Sequence, residues 1–169
     1  MFAVRLSIQI PGTCEKLRRH ESLFRDWVVL FIKPQYLAIT GTGFCARNAA
    51  AGRGRCVGFD LSAFEGLYAR RVLGAGDKMR ARTPKLLQCC PTDEQAEVLV
   101  PDQIQFADII QVAVRSEAQA QNEFVRLQLA SLPADVFTFV IAPDLFDPYT
   151  LSAVIHDGRR PTETIWKPK

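Results

Sequence analysis

The most apolar stretch of this chain is the size of a single strand. Trp27 to Ile32 reads WVVLFI, which is β-branched, aromatic and continuously apolar, and Pro34 closes it. Such a run predicts a strand that is buried on both faces. No apolar run approaches the roughly 20 residues that a membrane-spanning helix requires. We therefore expect a chain that folds in water from short strands, with no membrane partner.

Turn-forming residues divide the rest of the chain into short helix and strand patterns. Residues 2–10 alternate imperfectly, with apolar side chains at period two from Val4 to Ile10, which predicts a half-buried strand that ends at Pro11. Residues 40–58 hold five glycines and read as a loop, whereas the apolar spacing over 60–73 predicts a helix with Asp60 as its N-cap. The other predicted elements are helices at 13–25 and 116–130, a basic connection at 74–85, strands at 97–100, 106–114 and 136–141, and a frayed tail of about ten residues. Together they predict a single α+β domain over residues 1–169.

Composition excludes several classes of protein. An apolar content of 48% argues against disorder, and an odd count of five cysteines argues against a disulfide scaffold. The N-terminus lacks the apolar core of a secretory signal. These observations favour a reduced, cytoplasmic protein.

The charges are distributed unevenly along the chain. Residues 47–85 carry nine basic and three acidic side chains, whereas residues 86–169 carry six and twelve. A solvated surface with internal charge balance explains this pattern, and so does a basic groove for an anionic ligand such as nucleic acid or a dinucleotide.

Histidine and cysteine do not form a metal-binding pattern. His20 and His156 have no partner at ligand spacing, and we interpret both as surface histidines. None of the five cysteines forms a CxxC pair. No metal is predicted.

Two polar side chains stand at the start of the strand predicted at 97–100. Gln95 and Glu97 are two residues apart, so in a strand they project from the same face. A carboxylate can bind a ribose hydroxyl or stabilise a positively charged sugar carbon, and the amide can orient a second substrate. An ordinary polar strand edge shows the same pattern.

Gln95-Ala96-Glu97 resembles the Gln-x-Glu motif of ADP-ribosyltransferases, and the longer string PTDEQAEVLVPDQI resembles the glutamate region of the DarT family. The stretch DWVVLFIKPQYL, followed by Gly43-Phe44 and Asn48-Ala49-Ala50, is also similar to that family. The resemblance spans about residues 25–115 and implies an ADP-ribosyltransferase-like fold, with a central mixed or antiparallel sheet flanked by helices.

The resemblance implies a specific activity. DarT-like enzymes are toxins that use NAD as donor and attach ADP-ribose to a base of single-stranded DNA, and a macrodomain antitoxin reverses the mark. Glu97 would stabilise the oxocarbenium-like ribose, and Gln95 would lie on the acceptor side. Asn48 falls in the matching Asn-Ala element and is assigned to NAD binding.

The N-terminal part departs from the family pattern. The family carries an arginine in a Pro-Arg-x-Pro-Met-Leu-like segment that grips the NAD phosphates, and this sequence has no such segment. We expect an N-terminally shortened member, with Arg5 as the positional substitute. If no arginine serves, the alternative is a catalytically incomplete module that binds nucleic acid or protein. A transferase that acts on protein or RNA is a further alternative.

The resemblance implies that the basic residues between positions 53 and 85 contact DNA. Lysine and arginine side chains there would follow the phosphate backbone of the DNA strand. The residues predicted to do so are Arg53, Arg55, Arg70, Arg71, Lys78, Arg80, Arg82 and Lys85.

Overall fold

The structure, a computed structural model, describes residues 27–50 and 53–168. The strand predicted at 2–10 and the helix predicted at 13–25 lie outside the described residues, as do Arg5 and His20. The described residues mix helices with short strands, which confirms the α+β prediction. The strands are β1 (Val29–Ile32), β2 (Gly43–Cys45), β3 (Val57–Gly58), β4 (Arg71–Leu73), β5 (Met79–Ala81), β6 (Glu97–Leu99), β7 (Ile109–Val114), β8 (Thr138–Ile141) and β9 (Thr164–Ile165). The helices are α1 (Leu61–Gly66), α2 (Glu117–Leu129) and α3 (Pro148–His156).

The described strands pair into three separate sheets. A mixed sheet has the order β1-β7-β8-β9, in which only the β7–β8 pair is parallel. An antiparallel sheet has the order β3-β2-β6, and β4 and β5 form an antiparallel hairpin. None of the helices within the described ranges has the length and apolarity to span a membrane.

The described chain divides into two compact units. One comprises residues 33–50, 53–106 and 149–161 and contains the β3-β2-β6 sheet and the hairpin. The other comprises residues 27–32, 107–148 and 162–168 and contains the mixed sheet. A single domain over the whole chain stays a prediction.

The core of the second unit reaches into the last residues of the chain. Trp166 is only 7% exposed, and its ring packs edge-on against Phe124 and Phe139. The Trp166 amide donates to the Phe139 carbonyl, and β9 pairs with β8. The prediction of a frayed tail is therefore wrong, because burial of a large aromatic side chain holds this segment in the core.

Helix α1 begins where the sequence predicts and ends earlier. The Ala63 amide donates to the Asp60 carboxylate at 2.8 Å, which confirms the N-cap. The helix ends at Gly66, and residues 71–73 form β4 instead of its last turn. Pairing with β5 accounts for this, since only Val72 of β4 is buried and the burial alternates with the period of a strand.

The glycine-rich stretch contains two strands where a loop is predicted. A Cβ at Gly43 would lie 2.7 Å from Val57 Cγ1, and a Cβ at Gly58 would lie 2.5 Å from Ala63 Cβ. These glycines therefore allow β2, β3 and α1 to approach closely, and their role is packing.

Candidate active site

Glu97 is the first residue of β6 and lies opposite Cys45 of β2. Its half-buried carboxylate is held by the loop that follows β2. Asn48 Nδ2 donates to Oε1 at 3.2 Å, and the Ala49 amide donates to Oε2 at 3.0 Å. The structure thus brings the Gln-x-Glu glutamate and the Asn-Ala element together, although 49 residues separate Asn48 from Glu97.

The two donors orient the Glu97 carboxylate and leave it able to bind more. An ionised carboxylate has about four lone-pair sites on its two oxygens, and the two donors occupy one on each oxygen. The remaining acceptor capacity suits a hydroxyl group, such as that of a ribose. The carboxylate can also stabilise positive charge that develops close to it.

The strand register places Glu97 on one face of the β3-β2-β6 sheet and helix α1 on the other. Directly opposed residues of antiparallel strands share a face, so Glu97, Cys45 and Val57 lie on one side of the β3-β2-β6 sheet. On the other side, the Phe44 ring packs edge-on against Phe64 of α1, with centroids 5.3 Å apart. Helix α1 therefore supports the sheet from behind the carboxylate.

Arg47, which no motif in the sequence singles out, anchors the loop that carries Asn48. Its Nε donates to Cys56 Sγ at 3.0 Å, while Nη1 donates to the Gly74 carbonyl at 3.2 Å and to Asp77 Oδ1 at 2.9 Å. The hydrogen bond that Arg47 donates to Asp77, followed by the one that it donates to Cys56, raises the pKa of Arg47. An arginine beside the Asn-Ala element is the only sequence signal of this role.

Gln95 lies in a turn, where strand alternation does not apply. The strand begins at Glu97, and the Gln95 amide donates to Asp93 Oδ1 at 2.8 Å, which closes a small turn. Gln95 and Glu97 therefore do not share a strand face, and that prediction is wrong. The Gln95 side chain is exposed, and its place on the acceptor side stays a prediction.

Most of the basic residues predicted to contact DNA lie at the surface. In the hairpin, Arg71 shares an exposed face with Leu73 and Met79, because the Leu73–Met79 and Arg71–Ala81 pairs point to the same side. Arg53 and Arg55 are exposed in the turn before β3. The other exposed basic residues are Arg70, Lys78, Arg80 and Lys85.

Arg82 and Arg80 already have partners within the protein. The Arg82 guanidinium donates to the carbonyls of Leu87, Gln88 and Cys90 and lies over the Tyr68 ring. Arg80 Nε lies 4.0 Å from Oδ2 of the buried Asp93. Contact between these two arginines and DNA stays a prediction.

His156 and the cysteines differ in their surroundings. The His156 side chain is 37% exposed, as expected of a surface histidine, but it is not alone, because its Nε2 contacts Glu94 Oε1 at 3.1 Å. Burial raises the pKa of the Cys45 thiol and raises that of Cys90 to about 11.

Across residues 27–50 and 53–168, no group of three or more His, Cys, Asp or Glu side chains could hold a metal ion.

Comparison with known proteins identifies the family. The family model described as DarT, ssDNA thymidine ADP-ribosyltransferase, matches residues 11–146 and so covers most of the chain. A search of curated protein sequences finds no match. Proteins of the DarT family are toxins that use NAD as donor and act on single-stranded DNA. The match extends over the β6 glutamate and the loop that holds it, and the chain belongs to the DarT family of ssDNA thymidine ADP-ribosyltransferases.

Proposed function

We propose that Glu97 is the catalytic carboxylate of an NAD-dependent transferase that modifies thymidine in single-stranded DNA. The proposal depends on the two hydrogen bonds that Asn48 Nδ2 and the Ala49 amide donate to the Glu97 oxygens. A carboxylate fixed by two donors is preorganised, so it stabilises developing positive charge without having to reorient.

NAD, when bound, supplies the ADP-ribosyl group. The glycosidic bond between its ribose and nicotinamide breaks, nicotinamide leaves with the bonding electrons, and the thymine base bonds to the ribose and releases a proton. Glu97 accepts a hydrogen bond from a ribose hydroxyl and stabilises the positive charge at the reacting carbon. Asn48 orients Glu97 through the 3.2 Å hydrogen bond. These groups fit the ribose end of NAD, whereas Arg5, the proposed phosphate ligand, lies outside the described residues.

The acceptor strand approaches from the side of Gln95 and the basic hairpin. Gln95 is exposed two residues before Glu97, and its amide can both donate to and accept from a base. On the hairpin, Arg71 and Lys78 offer exposed charges for phosphate groups, and Leu73 and Met79 offer exposed apolar surface beside them. This combination suits a single strand, whose bases and backbone are both accessible.

The proposal extends to the biology of the protein. We propose a toxin that acts in the cytoplasm, where NAD and single-stranded DNA are both present, and that is paired with a macrodomain antitoxin. Co-expression tests this part, since the antitoxin should restore growth to cells that are arrested by the wild-type toxin. Growth arrest by Glu97→Ala at equal expression would contradict it.

The activity is tested with NAD and matched oligonucleotides. The wild-type protein should release nicotinamide and add one ADP-ribosyl mass to a thymidine-containing single strand. It should leave a thymidine-free strand and a duplex unmodified. Glu97→Ala should reduce the transfer rate at least a hundredfold, whereas Glu65→Ala, which removes an exposed carboxylate from α1, should have no effect.

Other outcomes identify the alternatives. DNA binding without nicotinamide release would indicate an incomplete module, and modification of RNA or protein in place of DNA would indicate a different acceptor. Equal turnover by wild type and Glu97→Ala would remove the catalytic role of Glu97.

A further inference from the structure

The turn at residues 91–96, which leads into Glu97, is held through three consecutive side chains. Thr92 is buried, its amide donates to the Leu67 carbonyl, and its Oγ1 donates to the Ala69 carbonyl at 2.7 Å. Asp93 is 5% exposed and accepts from the Gln95 amide. Thr92 therefore fastens the turn to the segment after α1, and Asp93 fixes its internal shape.

Glu94 joins the same turn to helix α3. Its Oε1 accepts from Ser152 Oγ at 2.6 Å and contacts His156 Nε2 at 3.1 Å. Ser152 and His156 are four residues apart on α3, so they lie on one face of the helix. The contact with His156 is a hydrogen bond in the tautomer that carries its proton on Nε2, because a carboxylate oxygen accepts.

We infer that Ser152 and His156 are positioning residues for the transfer reaction, acting through Glu94 on Gln95. This inference rests on the proposed function. Gln95 follows Glu94 directly, so a tilt of the turn moves the Gln95 side chain, which lies on the predicted acceptor side. Glu97 has its own donors in Asn48 and Ala49, so the contacts on α3 are not needed to hold the carboxylate.

If this arrangement positions Gln95, loss of the α3 contacts should lower the catalytic efficiency with the DNA substrate and leave the interaction with NAD unchanged. Loss of the α3 contacts frees the turn on one side, while the backbone of Thr92 and the side chain of Asp93 still hold it. We expect His156→Ala and Glu94→Ala each to lower kcat/KM for the oligonucleotide about tenfold and to leave KM for NAD within twofold. Ser152→Ala should show the same pattern to a smaller degree.

A double-mutant cycle separates positioning through Glu94 from a general structural effect. If His156 acts through Glu94, the Glu94→Ala/His156→Ala double variant should match the stronger single variant, because the second substitution removes nothing more. His156→Gln should recover most of the activity, since the glutamine Nε2 is a donor at a similar reach. Glu65→Ala is the matched control for the loss of an exposed carboxylate.

Amide hydrogen exchange of residues 91–96 supplies a readout that does not depend on activity. Exchange should be about tenfold faster in His156→Ala than in wild type, with no change in the strands of the mixed sheet. Wild-type exchange together with wild-type kcat/KM in the variants would overturn the inference, as would additive effects in the double variant or an equal fall for NAD and DNA. An inactive wild type would instead contradict the proposed function, and faster exchange in His156→Ala would then still show that the α3 contacts hold the turn.

Discussion

Replacement of Asn48 by aspartate tests whether the Glu97 carboxylate must stay ionised and oriented. The substitution preserves the shape of the side chain and replaces the Nδ2 donor, 3.2 Å from Glu97 Oε1, by an oxygen of like charge. Asn48→Ala removes the whole carboxamide and adds no charge. Asn48→Asp should therefore be the less active of the two variants if charge repulsion at Glu97 matters.

The magnitude follows from the geometry. A hydrogen bond to a charged group contributes about 1.5–3 kcal/mol, so Asn48→Ala should lower kcat/KM by about tenfold to a hundredfold. Two like charges at the 3.2 Å of the present contact repel by about 1.3 kcal/mol in water and by about 5 kcal/mol at the effective dielectric of a protein surface. Since both residues are half-buried, Asn48→Asp should be at least about ten times less active than Asn48→Ala.

The assay is the rate of ADP-ribosyl transfer to a thymidine-containing oligonucleotide at saturating NAD, with melting temperatures to confirm folding. Higher salt should narrow the gap between the two variants, because part of the repulsion is screened. Equal activity of two folded variants would refute the view that the charge of Glu97 is used in the reaction.

The remaining predictions concern packing and thiol chemistry. Gly74→Ala should destabilise the protein by about 1–3 kcal/mol in urea unfolding, because the new Cβ would collide with Asp93 Oδ2 and lie 2.9 Å from Arg80 Cγ. Gly66→Ala, in open space at the end of α1, should be neutral or stabilising, and a loss there equal to that of Gly74→Ala would contradict the steric argument. Trp166→Ala should cost about 3–5 kcal/mol in the same assay, whereas a frayed tail would tolerate it. With a pKa of about 11, Cys90 has a thiolate fraction of about one in a thousand at pH 8. Iodoacetamide should therefore label Cys90 slowly at pH 8, and the labelling rate should rise about tenfold for each unit of pH. Rapid labelling at pH 8, detected by mass spectrometry, would disprove the raised pKa.

Several features follow from local sequence alone. Within the apolar run before Pro34, Val29–Ile32 form β1, whereas Trp27 lies outside the strand and is 49% exposed. Asp60 caps α1 as its position predicts. The glutamate of the Gln-x-Glu string, Glu97, is the first residue of a strand, as predicted. Each of these depends on residues within a few positions of one another, where propensity, capping and turn chemistry act directly. The family resemblance rests on the same local strings.

Other features depend on partners that are distant in sequence, and only the folded chain shows them. Val72 belongs to a strand because β5 pairs with it, although the spacing over 60–73 is helical. Asn48 meets Glu97, and His156 meets Glu94 across 62 residues, because the sheet register and α3 bring these segments together. Trp166 packs on Phe139 because β9 pairs with β8. Periodicity reports which side of an element is apolar, whereas the identity of the opposing side chain is decided by tertiary packing. Local sequence strings therefore indicate the catalytic candidate and its family, whereas long-range packing specifies which residues hold that carboxylate and the turn before it.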